Sequence, residues 1–417
     1  MKKKVFFKTF GCRTNQFDTQ IMINNLKDYD LTFKEEEADY IVVNSCTVTN
    51  GADSSVRGYI NSAKRKNQDA KVIVAGCGAH SKGKELLQKG QVFGVFGHSE
   101  KEKINSILNN YKEPFYKIGD LEHVDSSIIS EFIGKSRAFI KVQEGCNFRC
   151  SYCIIPYVRG NARSIALEQI IKQVELLAAN GFSEFILTGT NVGSYGKDIG
   201  LSIAKLLKRL SLVRGVKRLR VGSLEPIQID NEFLEILDEP WMAKHLHIAL
   251  QHTSDKMLLY MNRRNRFKSD LELFEKIANK GFAIGTDFIV GHPGESDEIW
   301  QEAISRVKKL PLTHIHAFTY SKRDNTPSAK LKDMVNGKVA KSRYKELTAI
   351  IKQKNYEFRL KHNKNLTILV ENLEDGVATG YDEYFNKIKI NTTKDIKNSW
   401  INILKADVKE SGNYANY

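Results

Sequence analysis

The chain has 417 residues, 64 Lys+Arg against 49 Asp+Glu for a formal net charge of +15, and is 41% hydrophobic and 27% charged with seven prolines. That composition excludes a disordered, collagen-like or low-complexity chain, and at roughly 150 residues per domain the length predicts two to three domains. The basic excess favours polyanionic partners, nucleic acid first and an anionic membrane surface second.

In chain order, β-branched runs at residues 5–10, 40–44, 71–75 and 92–95 alternate with helix-like segments at 16–26, 53–64, 84–88 and 100–108. This predicts an α/β, doubly wound parallel-sheet domain over residues 1–112. The MKKKVFFKTFGC start carries Lys8 inside its apolar run and no small-residue cleavage site, so it reads as a first strand rather than an export signal. No run approaches the ~18 uncharged apolar residues of a spanning helix. The expectation is a cytoplasmic protein with no membrane segment and with reduced thiols. Residues 111–135 hold no sustained period and read as a connection.

A second series places strands at 138–143, 184–188, 217–221, 245–250, 283–290 and 314–319, with amphipathic segments between them. Leu167, Ile170, Ile171, Val174 and Leu177 share one helical face. Six strand-helix units predict a partial (β/α)6 barrel over residues 134–335, with an open side for a large substrate. Residues 336–363 read as a basic linker helix with Tyr344, Leu347, Ile351 and Phe358 on one stripe. Residues 364–417 read as a small β-barrel, with strands near 366–371, 385–390 and 400–406. Its seven Lys against eight Asp+Glu leave it net −1. RNA contact through it would need Tyr381, Tyr384 and Phe385 beside Lys387 and Lys389 to supply stacking.

Intracellular thiols at short spacings read as metal or redox ligands rather than a disulfide scaffold. Cys146, Cys150 and Cys153 form C-x3-C-x2-C in EGCNFRCSYC, just past a predicted strand. Three thiolates this close can hold three irons of a 4Fe-4S cube and leave the fourth open to chelate a small molecule. A zinc site completed by another ligand, or plain reduced cysteines, are the alternatives. Cys12, Cys46 and Cys77 are separated by 33 and 30 residues, yet each lies two residues beyond a predicted strand. Parallel strands share one carboxyl edge, so the three thiols should converge there as a second iron-sulfur site.

The C-x3-C-x2-C motif at the first barrel strand resembles the radical S-adenosylmethionine (SAM) superfamily. With the upstream trio and a terminal β-barrel, the whole chain resembles radical SAM methylthiotransferases, whose domain order is a cysteine-bearing N-terminal domain, a radical SAM barrel and a TRAM domain. GCRTNQFDT, NSCTVTNGAD and VAGCGAH are most similar to the branch that methylthiolates N6-threonylcarbamoyladenosine in tRNA. Sister branches act on isopentenyladenosine in tRNA or on a ribosomal-protein aspartate. A non-catalytic metal-containing RNA-binding protein is the reading from another class.

The resemblance implies two 4Fe-4S clusters and SAM as cofactors, a tRNA anticodon stem-loop as partner, an electron donor of flavodoxin or ferredoxin type and a sulfur donor of unknown kind. It also implies that the Cys146/Cys150/Cys153 cluster cleaves SAM to a radical that abstracts hydrogen from adenine C2. A second SAM methylates a sulfur carried at Cys12/Cys46/Cys77. TGTNVGSYG matches the family's methionine-amine loop and makes Thr188, Gly189 and Asn191 cofactor candidates. RVGSLEP adds Ser223 and Glu225, and LHIALQHTS adds Gln251 as a cavity-lining residue. TDFIVGHPGE adds Ile289 and Gly291, with His292 where the family usually has Phe. Arg263 and Arg264 in MNRRNRF, and Arg323 in TYSKRDNTPSA, are substrate candidates, and glycine is common at the position of Asn325.

Overall fold

The computed structural model describes residues 2–417. Its N-terminal part is a six-stranded sheet of β1 (Lys4–Thr9), β2 (Asp30–Leu31), β3 (Tyr40–Ser45), β4 (Lys71–Gly76), β5 (Gly94–Phe96) and β6 (Phe115–Lys117), in the order β2-β1-β3-β4-β5-β6. Every pair is parallel. Helices cover both faces, which is why the central strands are apolar at consecutive positions. Ile41, Val43, Val72 and Val74 pack on Val56 and Ile60 of the helix Asn50–Lys66. Tyr40, Val42 and Ile73 pack on the other side with Met22, Ile104 and Leu108. β6 falls inside the stretch read as a connection: a three-residue edge strand carries too few residues to show a period.

Six further parallel strands form an arc: β7 (Ala138–Glu144), β9 (Glu184–Gly189), β10 (Arg218–Val221), β11 (His245–His247), β12 (Ala283–Val290) and β13 (His314–Thr319). The bridges Leu219–Met242 and Leu224–Ile248 continue the arc across β10 and β11. The short β8 (Arg163–Ser164) runs antiparallel on the far edge of β7. The barrel is therefore partial, as its six units predict, and its strands begin and end within a few residues of the expected positions. Helices 167–179, 203–211, 267–279 and 297–309 bury their apolar faces against it in the largest core.

The helix Gly337–Lys361 packs along β12 and β13. It buries Ala340, Arg343, Leu347, Ile351 and Arg359, while Tyr344 is exposed. The expected stripe is thus only half right. Arg343 is buried because Glu295 and Asp297 pair with it, and Arg359 because Asn413 accepts from it. The C-terminal sheet comprises β14 (Lys364–Glu374), β15 (Val377–Tyr381), β16 (Lys387–Asn391), β17 (Trp400–Lys405), β18 (Asp407–Lys409) and β19 (Gly412–Asn416). It curls around its own core in the order β17-β14-β15-β16-β19-β18. The small barrel expected there is a half-barrel, since β17 and β18 end the series without pairing with each other.

The turn between β15 and β16 packs back onto the barrel. Tyr381 and Phe385 stack on each other at 4.9 Å, with Arg137 over Tyr381 at 4.7 Å and Arg220 over Phe385 at 5.3 Å. Phe385 also stacks on His245 of β11, and Arg220 donates to the carbonyls of Asp382 and Glu383. Tyr384 lies edge-on to Phe358 of the long helix. These aromatics are half-buried and pack at the base of the barrel against its inward arginines and histidines.

Candidate functional site

Parallel register decides where the first three thiols go. Thr9 aligns with Asn44, and Ser45 aligns with Gly76, so β1, β3 and β4 end at one level. Cys12 then caps the helix Arg13–Asn24, Cys46 follows β3 directly, and Cys77 opens the helix Cys77–Ser81. In the strand order 2-1-3-4-5, β1 and β3 flank the point where connections diverge, the usual ligand crevice of such sheets. Gly11, at φ +92°, makes the approach possible. A Cβ there would sit 2.7 Å from Cys46 Cβ and 3.0 Å from its Sγ.

Cys146 leaves the carboxyl end of β7 through Gly145, at φ +71°, where a Cβ would collide with the Asn161 carbonyl. The rest of the motif loop is pinned by its neighbours. The Ser151 amide donates to the Met261 carbonyl (2.9 Å), and Asn262 donates to the Arg149 carbonyl (2.6 Å). The buried His292 reaches Ser328 Oγ at 2.8 Å, and Ser328 Oγ lies 2.8 Å from Ser151 Oγ. The residue that departs from the family's Phe is therefore a polar prop beneath the cysteine loop. Asn325 sits at φ +69°, a left-handed conformation that asparagine tolerates and glycine adopts without strain.

All six cysteines line one cavity of about 400 Å³, between the carboxyl edge of the N-terminal sheet and the carboxyl ends of the barrel strands. Burial pushes the Cys46 thiol up to about 11 and the Cys153 thiol up to about 12, and it raises Cys77, Cys146 and Cys150 as well. Arg159 opposes the rise at Cys77, as Arg263 does at Cys150. Such thiols stay protonated until a metal displaces the proton. Among the described residues, the groups of three ligand atoms within 4.8 Å of one another are Glu102/His123/Asp125 and His247/Asp287/His316. The cysteine trios are more widely spaced, whereas three thiolates on one zinc at 2.3 Å would lie about 3.8 Å apart. All-thiol donors spread around a roomy cavity fit an iron-sulfur cube better than a single ion.

Of the residues expected to meet SAM, Gly189, Asn191, Ser223, Glu225, Gln251 and Ile289 line this cavity. Asn191 donates to Cys146 Sγ at 3.5 Å and is held by Gln228 at 2.9 Å. Gln251 lies at φ +66°, a strained conformation for a non-glycine residue, its amide bonded to Asp287 of β12. Two of the expected residues stand elsewhere. Thr188 is buried within β9, and Thr190, just past the strand's end, reaches the cavity wall in its place. Gly291, at φ +77°, instead lets the end of β12 approach the long helix, since a Cβ there would lie 2.9 Å from Ala340 Cβ.

The three arginines divide. Arg264 is exposed and lies 5.3 Å from the ring of Phe148 at the cavity mouth. Arg263 is buried, donates to Glu225 Oε1 at 2.8 Å and reaches to 3.9 Å from Cys150 Sγ, so its charge is spent on the cavity wall. Arg323 is buried too, donating to Thr47 (2.9 Å), Asn50 (2.8 Å) and Asp53 (2.7 Å). It latches the barrel to the N-terminal part instead of facing a substrate. His247 bonds Asp287 at 3.0 Å, and His252 is buried 3.4 Å from Glu295. Sequence reasoning missed Arg159, whose Nε donates to Cys77 Sγ at 3.1 Å. Its signal was its position six residues past Cys153, in IIPYVRG.

Residues 4–97 match an uncharacterized protein family, UPF0004, and residues 140–307 match the radical SAM superfamily. A putative methylthiotransferase of Helicobacter pylori is 55% identical over 99% of each chain. The threonylcarbamoyladenosine tRNA methylthiotransferase of Aquifex aeolicus is 36% identical over 93% of this chain and 99% of its own. In fold, the chain is similar to the radical SAM methyltransferase TsrM of Kitasatospora setae, with a TM-score of 0.58 at 15% identity, covering 79% of this chain and 77% of that one.

Proposed function

The chain belongs to the radical SAM methylthiotransferases, and from that premise we propose that it converts N6-threonylcarbamoyladenosine beside the tRNA anticodon to its 2-methylthio derivative. Members of this family use SAM and two 4Fe-4S clusters. The observation that carries the reading is the single cavity into which both cysteine trios open. When bound, these groups supply one-electron chemistry and a transferable sulfur. The chain's own residues hold them: Cys146, Cys150 and Cys153 on the barrel side, and Cys12, Cys46 and Cys77 on the side of the N-terminal sheet. Asn191, Ser223, Glu225, Gln251 and Ile289 form the wall between, suited to SAM.

A groove supports the approach of a nucleic acid. Phe318 to Ser321 line both the cavity and an adjoining groove that also includes Thr49, Asn50, Lys341 and Tyr344. Phe318 is 44% exposed and Tyr344 37%, which suits base stacking beside a lysine-bearing helix. In this reading the RNA contact falls to the long helix, and the net-acidic C-terminal sheet packs against the barrel. Among the described residues no helix is long and apolar enough to cross a membrane.

Mass spectrometry of tRNA nucleosides from a deletion strain tests the substrate. The proposal expects the methylthio nucleoside to vanish and threonylcarbamoyladenosine to remain. Unchanged nucleosides with loss of a ribosomal-protein methylthio group would overturn it.

A further inference from the structure

Arg159 ends the helix Ile155–Arg159 that follows the C-x3-C-x2-C loop, yet its guanidinium lies among residues of the N-terminal part. Nε donates to Cys77 Sγ at 3.1 Å, Nη2 to Asn15 Oδ1 at 2.6 Å, and Nη1 to Asp18 Oδ2 at 2.8 Å and to Glu144. The residue is 2% exposed. Gly160, at φ +73°, turns the chain immediately after it, and a Cβ there would collide with the Leu121 carbonyl.

The surroundings are ionic and dry. Lys101 and Lys141 pair with Asp125, Lys141 with Asp18 at 2.6 Å, and Lys141 with Glu144 at 3.3 Å. With Arg159, and with Arg163 whose Nη2 lies 3.6 Å from Glu144, this sets four cations against three buried carboxylates before any sulfur is counted. A buried guanidinium gains little from a neutral thiol, which is a weak acceptor. It gains much more from an anionic sulfur, because charge-assisted hydrogen bonds are roughly twice as strong. The bond from Nε to Cys77 is thus built for the metal-bound form of the cysteine.

We propose that Arg159 is the positioning residue of the N-terminal cluster, acting through Cys77 to raise the reduction potential of a 4Fe-4S group held by Cys12, Cys46 and Cys77. This rests on the reading that the three cysteines hold such a cluster. Reduction adds one electron, here from dithionite, to an anionic centre without breaking a bond. A fixed positive charge and an N–H donor at the sulfur favour the reduced form.

The test uses the full chain carrying Cys146→Ser, Cys150→Ser and Cys153→Ser, so that only the N-terminal cluster is assembled. Iron content comes first. About four irons per chain are required, and their absence overturns the cluster reading itself, separately from the role of Arg159. A dithionite titration followed by electron paramagnetic resonance then compares Arg159 with Arg159→Lys and Arg159→Gln. The expected result is a lower potential in Arg159→Gln, by about tenfold in the reduced-to-oxidised ratio, or ~59 mV for one electron, with Arg159→Lys in between. Equal potentials overturn the proposal. Should Arg159→Gln fail to fold, the chain with Arg159 intact still decides. With arginine labelled with ¹⁵N in its guanidino group, pulsed resonance of the reduced cluster should show a ¹⁵N coupling that Arg159→Lys weakens or loses, and no coupling overturns the proposal.

Discussion

Cys150 and Cys46 face the same cavity from opposite sides, and their losses should be felt differently. Cys150→Ala is expected to abolish SAM cleavage, read as deoxyadenosine formed anaerobically, while the iron of the other trio stays. Arg263 gives a stability prediction at the same scale. Its guanidinium, 2% exposed at the side chain, pairs with Glu225, which is 19% exposed, so removing it costs less than the ~3–5 kcal/mol of a fully buried pair. Arg263→Ala should lower the thermal midpoint by several degrees, and an unchanged midpoint would show that the pair contributes nothing. The cysteines were legible because thiols within three residues of strand ends state their own placement. Arg159, Arg263 and Arg323 were not, because a lone arginine reads alike whether it meets solvent, a substrate or a buried carboxylate.

At the scale of elements, the parallel register that aligns β1, β3 and β4 does most of the work of assembling the N-terminal trio. Gly11 is its weakest point. Gly11→Ala forces a Cβ against Cys46, so the iron bound by Cys12, Cys46 and Cys77 should fall while that at the C-x3-C-x2-C loop persists. Full iron in the variant would show that the loops have slack. The strands of the sheet and of the barrel were readable from β-branched runs buried on both faces. β6 and β18 were not, because three residues at an edge leave no period to detect, and β19 adds only five residues between β16 and β18. The long helix was readable as a helix, but its buried face was misjudged, since Arg343 and Arg359 enter the interior with partners that only the tertiary fold supplies.

For the whole molecule, several contacts hold the parts around the cavity, Arg159 and Lys141 on Asp18 among them, and two others carry predictions. Arg323 ties the loop after β13 to Asp53 of the helix Asn50–Lys66, and Arg323→Ala should speed amide exchange in that helix; unchanged exchange would contradict the latch. The turn from Tyr381 to Asn386 plugs the barrel base, where burial pushes the Asp382 carboxyl up to about 7. Its folded pKa lies above the unfolded value of about 3.9, so the folded chain binds the extra proton. Stability contributed by this group is present below about pH 4, falls as pH rises through the window to about 7, and is flat above. Asp382→Asn should flatten that decline, measured as thermal midpoints at about pH 5 and about pH 8.

The most direct test of two cysteine trios with separate tasks in one cavity is Cys46→Ala assayed with SAM, reductant and threonylcarbamoyladenosine-bearing tRNA. The account predicts deoxyadenosine formation with no methylthiolated nucleoside. Methylthiolated product at the unaltered enzyme's rate would contradict it.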